Sequence, residues 1–409
     1  MDYIKKLKAK HIGIFEDLEI SFSKNTNIII GGNSSGKTTI LKLITYCFSN
    51  SHFSGTRFRS GASFDIDLFS NGQEYKVGLN NVVDEDQVYR QFKATRWNPP
   101  IQNPGEEKRT LLPYNPAVHN LFAIGASRYF DYKAISGMQR EKKGTDRIDY
   151  YKNNNSQFLE KPILPDIKQW MINRYFVIEK EWASIEKNNW QHLIENLNSI
   201  TPKGMEFSFS RIERDLEPLF RINDNECYLE ELSSGIKSIL AIVLSITDWI
   251  EGVNDGKNAL LKNATGTVLI DEIDTHLHPN WQASIVGDLR TFFPKLQFIF
   301  TTHSPHIISS AKKNEIIKIP AHNGTLNIKP LQKEFNTWEL DYILDDLMDT
   351  SPRNSPDLDF IIDKLDQAYE NKEIDEYDKQ LKKLKRIIHP KDTILQVYIM
   401  KKSRLVLKK

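Results

Sequence analysis

The sequence predicts an α/β fold with a parallel core sheet, an antiparallel β lobe, a helical insertion and a helical C-terminal tail. Three observations predict it. The apolar run 27–30 leads through a glycine-rich loop into a helix-like stretch at 39–44. Two more apolar runs, 267–270 and 297–301, end in polar residues, as buried parallel strands do at the ligand edge of an α/β sheet. The segment 64–79 has the pattern of a β-hairpin.

The β lobe is predicted to flank the first of these strands. Two strands are predicted at 12–15 and 18–22, the second because its apolar and polar residues alternate as in a half-buried strand. The hairpin is centred on 70–73, where an Asn-Gly pair suits a tight primed turn. The stretch 97–116, rich in Pro, Asn and charge, is predicted to be a surface loop.

The remaining elements follow from composition and periodicity, and no internal repeat is present. In chain order they are a short apolar run at 120–125, a mobile polar insertion at 136–157, helices over 166–200, short strands over 205–229, an apolar helix at 238–250 and charge-rich helices from about 355 to 388. The expected domains are 1–135 with the β lobe and glycine-rich loop, 136–205 with the insertion and a helical subdomain, 206–335 with the other core strands, and 336–409 as a helical tail.

The glycine-rich loop at 31–38 has the strand, loop and helix spacing of a phosphate-binding loop. Backbone N–H groups in such a loop converge on phosphate oxygens, and the helix dipole favours the anion. Lys37 is expected to reach the β- and γ-phosphates, and the Thr38 hydroxyl to bind Mg²⁺. A turn that merely joins a strand to a helix would leave this Lys-Thr pair unexplained. The candidate nucleotide-binding residues are Gly31, Asn33, Ser34, Ser35, Gly36, Lys37, Thr38 and Thr39.

Two later strands end in residues that suit phosphoryl-transfer chemistry. Asp271 is expected to hold Mg²⁺ opposite Thr38, usually through water. Glu272 is placed to polarise a water that attacks the γ-phosphate. His303 follows the next strand and is expected to hydrogen-bond the γ-phosphate. The alternatives are a strand capped by solvated acids and a structural histidine; the nearby phosphate-binding loop and the order of the strands argue against both.

A third segment, 232–238, precedes the apolar helix. Ser and Gly at a helix N-terminus expose backbone N–H groups to an anion. Taken alone this segment is weak evidence for a nucleotide-binding site, because Ser is simply a good N-cap.

In this order the four pieces resemble an ABC-class ATPase head. Gly31–Thr38 matches the Walker A loop, Leu232–Gly235 the signature, Val268–Glu272 the Walker B strand and His303 the switch histidine. The segment 274–279 occupies the D-loop position. The residues of these motifs resemble those of the RecF, OLD and SMC members of the class and differ from those of membrane transporters.

The resemblance covers about residues 1–320 and implies a P-loop parallel core sheet beside an antiparallel β lobe. In ABC heads, the signature of one subunit closes over the nucleotide on the Walker A loop of the other. The resemblance therefore assigns Ser233 and Gly235 to the γ-phosphate on a partner chain, and implies a homodimer or higher homo-oligomer that binds ATP and Mg²⁺. The catalytic residues implied are Glu272 and His303, and the metal ligands implied are Thr38 and Asp271.

The tail narrows the resemblance. The segments 336–338 and 351–353, with a short helical tail, look like bacterial single-head ATPases of anti-phage defence, of which the ATPase subunit of Septu systems is the nearest. Two positions depart from the transporter pattern. Ser234 occupies a position where transporters have glycine, and Ile236 one where they have glutamine, as is common among the RecF and OLD proteins.

Two features of the head stay open. No Q-loop glutamine is assigned, since Gln87 and Gln91 are both unconvincing. Arg128 is interpreted either as facing the nucleotide or as a surface residue.

The composition fits a soluble globular protein of two or three domain-sized units, with 409 residues, net charge +1, 39% hydrophobic and 27% charged residues. No window reaches the ~18 apolar residues of a membrane span, and the first residues lack an apolar signal core, so a cytoplasmic location is expected. Cys47 and Cys227 are too few for a disulfide framework or a zinc site. Lysines at both ends indicate solvated termini or a phosphate-contacting patch, so nucleic acid stays possible.

Three functions are consistent with these motifs. The first is the ATPase subunit of an anti-phage defence complex whose nucleotide state regulates a partner nuclease or other effector. The sequence shows no nuclease domain of its own, and 336–409 is the expected docking region. The alternatives are a DNA repair or recombination ATPase of the RecF type that binds DNA directly, and an ATP-clamped scaffold with slow turnover. Glu272 argues against the scaffold, because a clamp needs no attacking water.

Overall fold

A computed structural model describes residues 2–48, 58–80, 100–103, 106–109, 120–128, 132–141, 145–160, 166–201, 204–320, 324–348, 356–388 and 392–407. The strands are β1 Tyr3–Ile12, β2 Phe15–Ser21, β3 Thr26–Ile30, β4 Phe58–Ser70, β5 Gln73–Asn80, β6 Pro100–Asn103, β7 Glu106–Arg109, β8 Leu121–Ile124, β9 Phe207–Ile212, β10 Pro218–Ile222, β11 Asn225–Tyr228, β12 Gly266–Ile270, β13 Leu296–Thr301, β14 Ile316–Lys318 and β15 Thr325–Ile328. The helices are α1 Lys37–Phe48, α2 Thr145–Glu160, α3 Ile167–Val177, α4 Ser184–Asn196, α5 Ser234–Val253, α6 Pro279–Phe292, α7 Pro305–Ser310, α8 Leu340–Asp346, α9 Pro356–Glu370, α10 Ile374–Ile387 and α11 Thr393–Leu407.

The central sheet has the strand order β14-β3-β13-β12-β8, and all its neighbouring strands are parallel. The register aligns Ile28 with Phe300, Phe300 with Ile270 and Ile270 with Ile124. The four strands therefore finish at the same edge, where ligands bind in open α/β sheets. Their core residues are fully buried, as expected for a sheet covered on both faces. The predicted α/β fold is confirmed.

A second sheet, of order β15-β2-β1-β4-β5, forms the β lobe. The hairpin of β4 and β5 turns at Asn71 and Gly72, both with positive φ, as predicted. The predicted strand at 12–15 is wrong: Ile12 pairs with Phe15, so this stretch is the turn between β1 and β2, and Gly13 has a φ of 56°.

Two predicted irregular stretches contain regular structure. Within 97–116, the described residues form the antiparallel pair of β6 and β7. The insertion predicted as mobile at 136–157 is helical from Thr145 onward, in α2. The polar Asn155 in that helix is buried, accepts from the N–H of Ala123 at 3.1 Å and donates to the carbonyl of Leu121 at 2.9 Å. It thereby satisfies the free edge of β8, which explains a polar residue at a buried helix position.

The helical predictions for 166–200 and 238–250 are confirmed by α3, α4 and α5. Helix α5 is buried on most of its faces, from Gly235 to Ile250. It lies inside the core because its sequence is apolar nearly all round. The strands predicted over 205–229 form a small antiparallel sheet of order β11-β10-β9.

The chain divides into two compact units, Met1–Ile343 and Leu344–Lys409. The second has its own apolar core on α9, α10 and α11, in which Leu365, Tyr377 and Leu384 are fully buried. The Tyr377 hydroxyl donates to the carbonyl of Tyr398 at 2.8 Å. None of the described helices is both long and apolar enough to cross a membrane.

Candidate functional site

The glycine-rich loop joins β3 to α1 at the carboxyl edge of the central sheet. Gly36 has a φ of +88°, and a Cβ there would lie 2.4 Å from the Phe15 ring, so both the backbone and the packing require glycine. Ser34 also has a positive φ, at 63°. The loop is therefore held in one shape by its own conformation and by the β lobe.

Lys37 folds back over this loop. Its Nζ donates to the carbonyls of Gly31 at 2.9 Å and Gly32 at 3.0 Å, and the side chain is buried. Burial lowers the pKa of Lys37 from its usual value, while Asp271 and Glu272 act in the opposite direction. The cation thus sits at the centre of the loop with only neutral carbonyls as hydrogen-bond acceptors, which a phosphate can replace.

Thr38 and Asp271 meet across the sheet edge. The Thr38 hydroxyl donates to Asp271 Oδ2 at 2.9 Å, and the Thr301 hydroxyl donates to Asp271 Oδ1 at 2.5 Å. Asp271 is 5% exposed. A hydroxyl and a carboxylate in contact are the oxygen donors that Mg²⁺ takes in phosphoryl-transfer sites.

Two further observations bear on whether ATP and Mg²⁺ fit. Among the described residues no group of three or more His, Cys, Asp and Glu is arranged so that it could hold a metal ion by itself, so a bound cation here would complete its shell with phosphate and water oxygens. Ser35 Oγ, inside the loop, is buried and finds no hydrogen-bond partner in the described ranges of the chain. A buried polar atom without a partner is costly unless a ligand or water satisfies it. The residues present therefore fit a magnesium nucleotide.

Glu272 follows Asp271 in a constrained conformation. Its φ is 46°, in the left-handed region, and its N–H donates to the Thr301 hydroxyl at 2.7 Å. The side chain is exposed and accepts from the Thr275 hydroxyl at 3.2 Å. The carboxylate is thus accessible to water beside the Thr38 and Asp271 pair.

His303 lies after β13 and is held through its backbone. Its N–H donates to Asp274 Oδ1 at 3.3 Å, and the Thr302 hydroxyl donates to the same oxygen at 2.5 Å. Burial, and then the Lys37 cation, lower the pKa of His303 below its usual value, so the neutral imidazole is favoured. Sequence reasoning placed Asp274 in the D-loop position but missed that it anchors the residues around His303.

The structure corrects both interpretations of Arg128. The side chain is 1% exposed, and its Nη1 donates to the carbonyls of Gly125 at 2.9 Å and Asp271 at 2.8 Å. Nη2 donates to the carbonyl of Glu272 at 2.8 Å, and Nε donates to Ser238 Oγ at 3.1 Å. Burial lowers the pKa of Arg128 to about 10. Arg128 is therefore an interior residue whose donors are occupied by the chain itself.

The signature segment makes its described contacts with its own helix and with the residues after Glu272. Ser233 caps α5, its Oγ accepting from the Ile236 N–H at 3.4 Å. Gly235 is buried, and a Cβ there would lie 2.3 Å from the Trp281 ring. In the described part of the chain, no hydrogen bond joins Leu232–Gly235 to the loop at 31–39.

The structure thus brings the loop, Asp271, Glu272 and His303 to one edge, and no hydrogen bond among the described residues joins Ser233 or Gly235 to the loop. Asn33 and Ser34 are exposed at the loop tip, while Gly31, Ser35 and Lys37 are buried. Gln87 and Gln91, the weak Q-loop candidates, lie outside the described residues.

Comparison with known proteins extends these observations. Residues 26–309 match the family described as AAA domain, putative AbiEii toxin, Type IV TA system. The chain is 27% identical to the Septu protein PtuA of Bacillus thuringiensis, over 96% of this chain and 95% of that protein. It is 33% identical to the retron Ec83 probable ATPase of Escherichia coli, over 90% and 82% of the two chains. A solved structure is also similar: the Smc head domain of Pyrococcus furiosus with an extended coiled coil, bound to the C-terminal domain of ScpA. The match covers 81% of this chain and 97% of that chain, with a TM-score of 0.50 and 16% identity, and it shows a shared fold.

Proposed function

This chain belongs to the AAA-domain family described as putative AbiEii toxin, Type IV TA system, and is an ABC-class ATPase of the Septu type; on that premise we propose that it binds and hydrolyses ATP as a subunit of a bacterial anti-phage defence complex. The observation that carries the proposal is the 2.9 Å contact between the Thr38 hydroxyl and the Asp271 carboxylate. It joins the phosphate-binding loop to the acidic strand end, so both halves of a phosphoryl-transfer site are present at one sheet edge.

The proposed chemistry distributes roles among residues of this edge. The loop N–H groups and Lys37 bind the β- and γ-phosphates, with Lys37 exchanging the carbonyls of Gly31 and Gly32 for phosphate oxygens. Thr38 and Asp271 would hold Mg²⁺, which neutralises phosphate charge when bound. The remaining positions of the loop contribute backbone and hydroxyl contacts to the nucleotide.

Glu272 and His303 are the proposed catalytic residues. The exposed carboxylate of Glu272 orients an attacking water and accepts its proton. The left-handed φ of 46° at Glu272 supports this role, because strained backbone collects at functional sites. His303, neutral because of burial and Lys37, donates a hydrogen bond to the γ-phosphate.

We further propose that two copies of the chain complete each site. Ser233 and Gly235 make no hydrogen bond to the loop of their own chain within the described residues, and the family arrangement assigns them to nucleotide on a partner. An isologous homodimer then contains two composite sites, each with one loop and one signature. ATP binds the closed dimer better than the open chains, which is what a nucleotide switch requires.

A separate nuclease or other effector is the proposed partner of this switch, docked on 336–409. The second unit supports docking through Val397 and Met400, one turn apart on α11 and both exposed, at 44% and 66%. ATP state would then control the effector, and the complex would act in the cytoplasm. Direct binding of duplex DNA, as expected of the RecF-type alternative, would instead show a strong inverse dependence on salt.

The test compares wild type with Glu272→Gln for phosphate release and for mass in solution with ATP and Mg²⁺. We expect the wild type to dimerise with ATP and hydrolyse it, and Glu272→Gln to lose roughly a hundredfold or more in turnover, as loss of a general base does, while keeping an ATP-dependent dimer. Glu179→Gln, at an exposed helix-end carboxylate, serves as control.

Three outcomes contradict parts of this proposal. Unchanged turnover in Glu272→Gln removes the catalytic assignment. A strictly monomeric wild type that hydrolyses ATP at full rate removes the composite site. A wild type that dimerises with ATP but releases no phosphate favours the ATP-clamped scaffold.

A further inference from the structure

Arg128 is a buried cation whose described hydrogen bonds all go to neutral acceptors, although the carboxylates of Asp271, Glu272 and Asp274 act on it electrostatically. Its acceptors are the carbonyls of Gly125, Asp271 and Glu272 and the hydroxyl of Ser238, all neutral. Burying an ion is expensive even when opposite charges are near, and apolar residues of similar volume hold a core together at lower cost. A purely architectural tie between these segments would not need an arginine.

One end of the guanidinium fixes the backbone that carries Glu272. Nη1 and Nη2 bind the carbonyls of two consecutive residues, Asp271 and Glu272, at 2.8 Å each. On the other side, the N–H of Glu272 donates to Thr301 at 2.7 Å. The left-handed φ of Glu272 persists because these contacts determine the peptide from both sides. A shift of Arg128 would therefore reorient the Glu272 side chain.

The other end contacts the signature helix. Nε donates at 3.1 Å to Ser238, in the first turns of α5, whose N-cap is Ser233. A guanidinium is planar and rigid, so its nitrogens move together. Displacement of the start of α5 is thereby transmitted to the carbonyls of Asp271 and Glu272 through one group.

We propose that Arg128 is a positioning residue that couples the signature helix to Glu272, and thereby links the two ATP sites of the dimer. In the composite arrangement, the start of α5 closes on the nucleotide of the partner chain, while Glu272 serves the nucleotide of its own chain. The contacts of Arg128 join these two sites within one chain. This inference rests on the proposed function, since it requires two sites that exchange signatures.

Two serines on α5 provide a matched pair for the test. Ser238 and Ser245 are both fully buried and lie about two helical turns apart. Ser238 Oγ accepts from Arg128, whereas Ser245 Oγ has no hydrogen-bond partner in the part of the chain that the structure describes. Ser238→Ala removes the contact between Arg128 and α5 and leaves the other Arg128 contacts in place. Ser245→Ala makes the same change of side-chain volume on the same helix and removes no Arg128 contact.

We expect wild type to hydrolyse ATP with a Hill coefficient between one and the limit of about two set by two sites. Ser238→Ala should lower the Hill coefficient to about one and kcat about tenfold, the worth of a hydrogen bond to a charged group, with KM close to that of Ser245→Ala. Its melting temperature should fall below that of Ser245→Ala, because the buried Nε–H of Arg128 loses its acceptor. Arg128→Lys, which keeps the cation and loses the planar fork, should lower kcat at least as far. A role confined to folding would change melting temperature and not the Hill coefficient.

The outcomes separate this inference from the proposed function. Cooperative turnover that is equal in wild type, Ser238→Ala and Ser245→Ala overturns the coupling and leaves the ATPase standing. Turnover in a wild-type dimer without cooperativity also overturns the coupling alone. A wild type that neither dimerises nor hydrolyses ATP overturns both.

Discussion

The loop at 31–38 and the signature at 232–235 both lie at helix N-termini in the first unit, yet they are built differently. Lys37 and Thr38 find partners within their own chain, in the loop carbonyls and in Asp271. Ser233 makes a long 3.4 Å cap contact, and its helix start packs on Trp281. The loop half, by which we mean 31–38 with Asp271, is therefore joined by hydrogen bonds within one chain. The signature half, 232–235, makes no hydrogen bond to it among the described residues. This difference indicates that binding and closure are separable, and each can be altered without the other.

The largest expected effect comes from the loop half. Lys37→Ala removes the only cation that the described residues place on the loop carbonyls, and with it two or more charge-assisted bonds to phosphate. Such bonds contribute about 1.5–3 kcal/mol each, so ATP affinity should fall roughly a hundredfold or more. Isothermal titration calorimetry with ATP and Mg²⁺ measures it.

Lys42→Ala is the matched control for that substitution. Lys42 lies on the same helix and pairs with Glu160 at 2.9 Å, away from the loop. Its replacement should leave ATP affinity within about twofold, since the ion pair of Lys42 is with Glu160 and changes at sites that share no partners couple weakly. Equal affinity in wild type and Lys37→Ala would show that the loop does not hold the phosphates.

The signature half should respond with a smaller effect, and on a different quantity. Ser233→Ala is expected to keep the ATP affinity of the single chain and to lower turnover about tenfold, through a lost charge-assisted contact at the partner's γ-phosphate. Gly235 is a poorer choice, because any Cβ would strike Trp281 in its own chain. Turnover and ATP-dependent mass in solution measure the effect.

Loss of the N-cap itself must be separated from this effect, since it costs about 1 kcal/mol of stability. Asp166→Ala, which removes the cap of α3, should lower melting temperature without altering turnover. Mixing Ser233→Ala with Lys37→Ala chains gives a sharper result. A mixed dimer contains one intact loop facing one intact signature, so turnover should reappear. Absence of recovery in stable mixed dimers would place both halves of a site in one chain.

The same contrast explains what the sequence could predict. The motifs at 31–38 and 267–272 are local, and parallel strands bring their ends to one edge, so the fold and the cluster around Thr38 and Asp271 follow from pattern. Arg128 could not be predicted, because three of its four acceptors, Ser238, Asp271 and Glu272, lie more than a hundred residues away in the sequence. Asn155 was misleading for a related reason: a polar residue suggests a mobile surface until the edge strand it satisfies is known.

The turn at 12–15 shows a different limit. Its residues are mostly apolar and predict a strand, but Gly13 and the pairing of Ile12 with Phe15 make it a hairpin turn. The apolar side chains there are retained for packing, since Phe15 lies against Gly36 of the phosphate-binding loop. Hydrophobic periodicity indicates which residues are buried and not which element they form. Here the buried Phe15 packs against the phosphate-binding loop at the point where a turn ends.

The smallest expected effect is a rise in the pKa of His303 when ATP binds to the loop half. Burial and the Lys37 cation hold the pKa of His303 below its ordinary 6.5. Below pH 6.5 the unfolded chain therefore binds more protons at His303 than the folded chain does. The contribution of His303 to the free energy of unfolding is fully present above that pH and declines as the pH falls through its folded-state pKa. ATP pairs Lys37 with phosphate and adds negative charge, so the pKa of His303 should rise on binding.

NMR titration of the histidine ring protons, with and without ATP and Mg²⁺, measures this shift, and His192 provides its control. Burial also lowers the pKa of His192, whose ring contacts the carbonyl of Phe292 at 3.2 Å on α6, and no phosphate-binding residue is among the causes of its shift. The His303 midpoint should move up in pH on ATP addition while that of His192 stays. Because the effect requires only the loop half, it should persist in Ser233→Ala and vanish in Lys37→Ala. A His303 midpoint that moves only when the signature is intact would mean that this histidine senses closure of the dimer and not binding of the nucleotide.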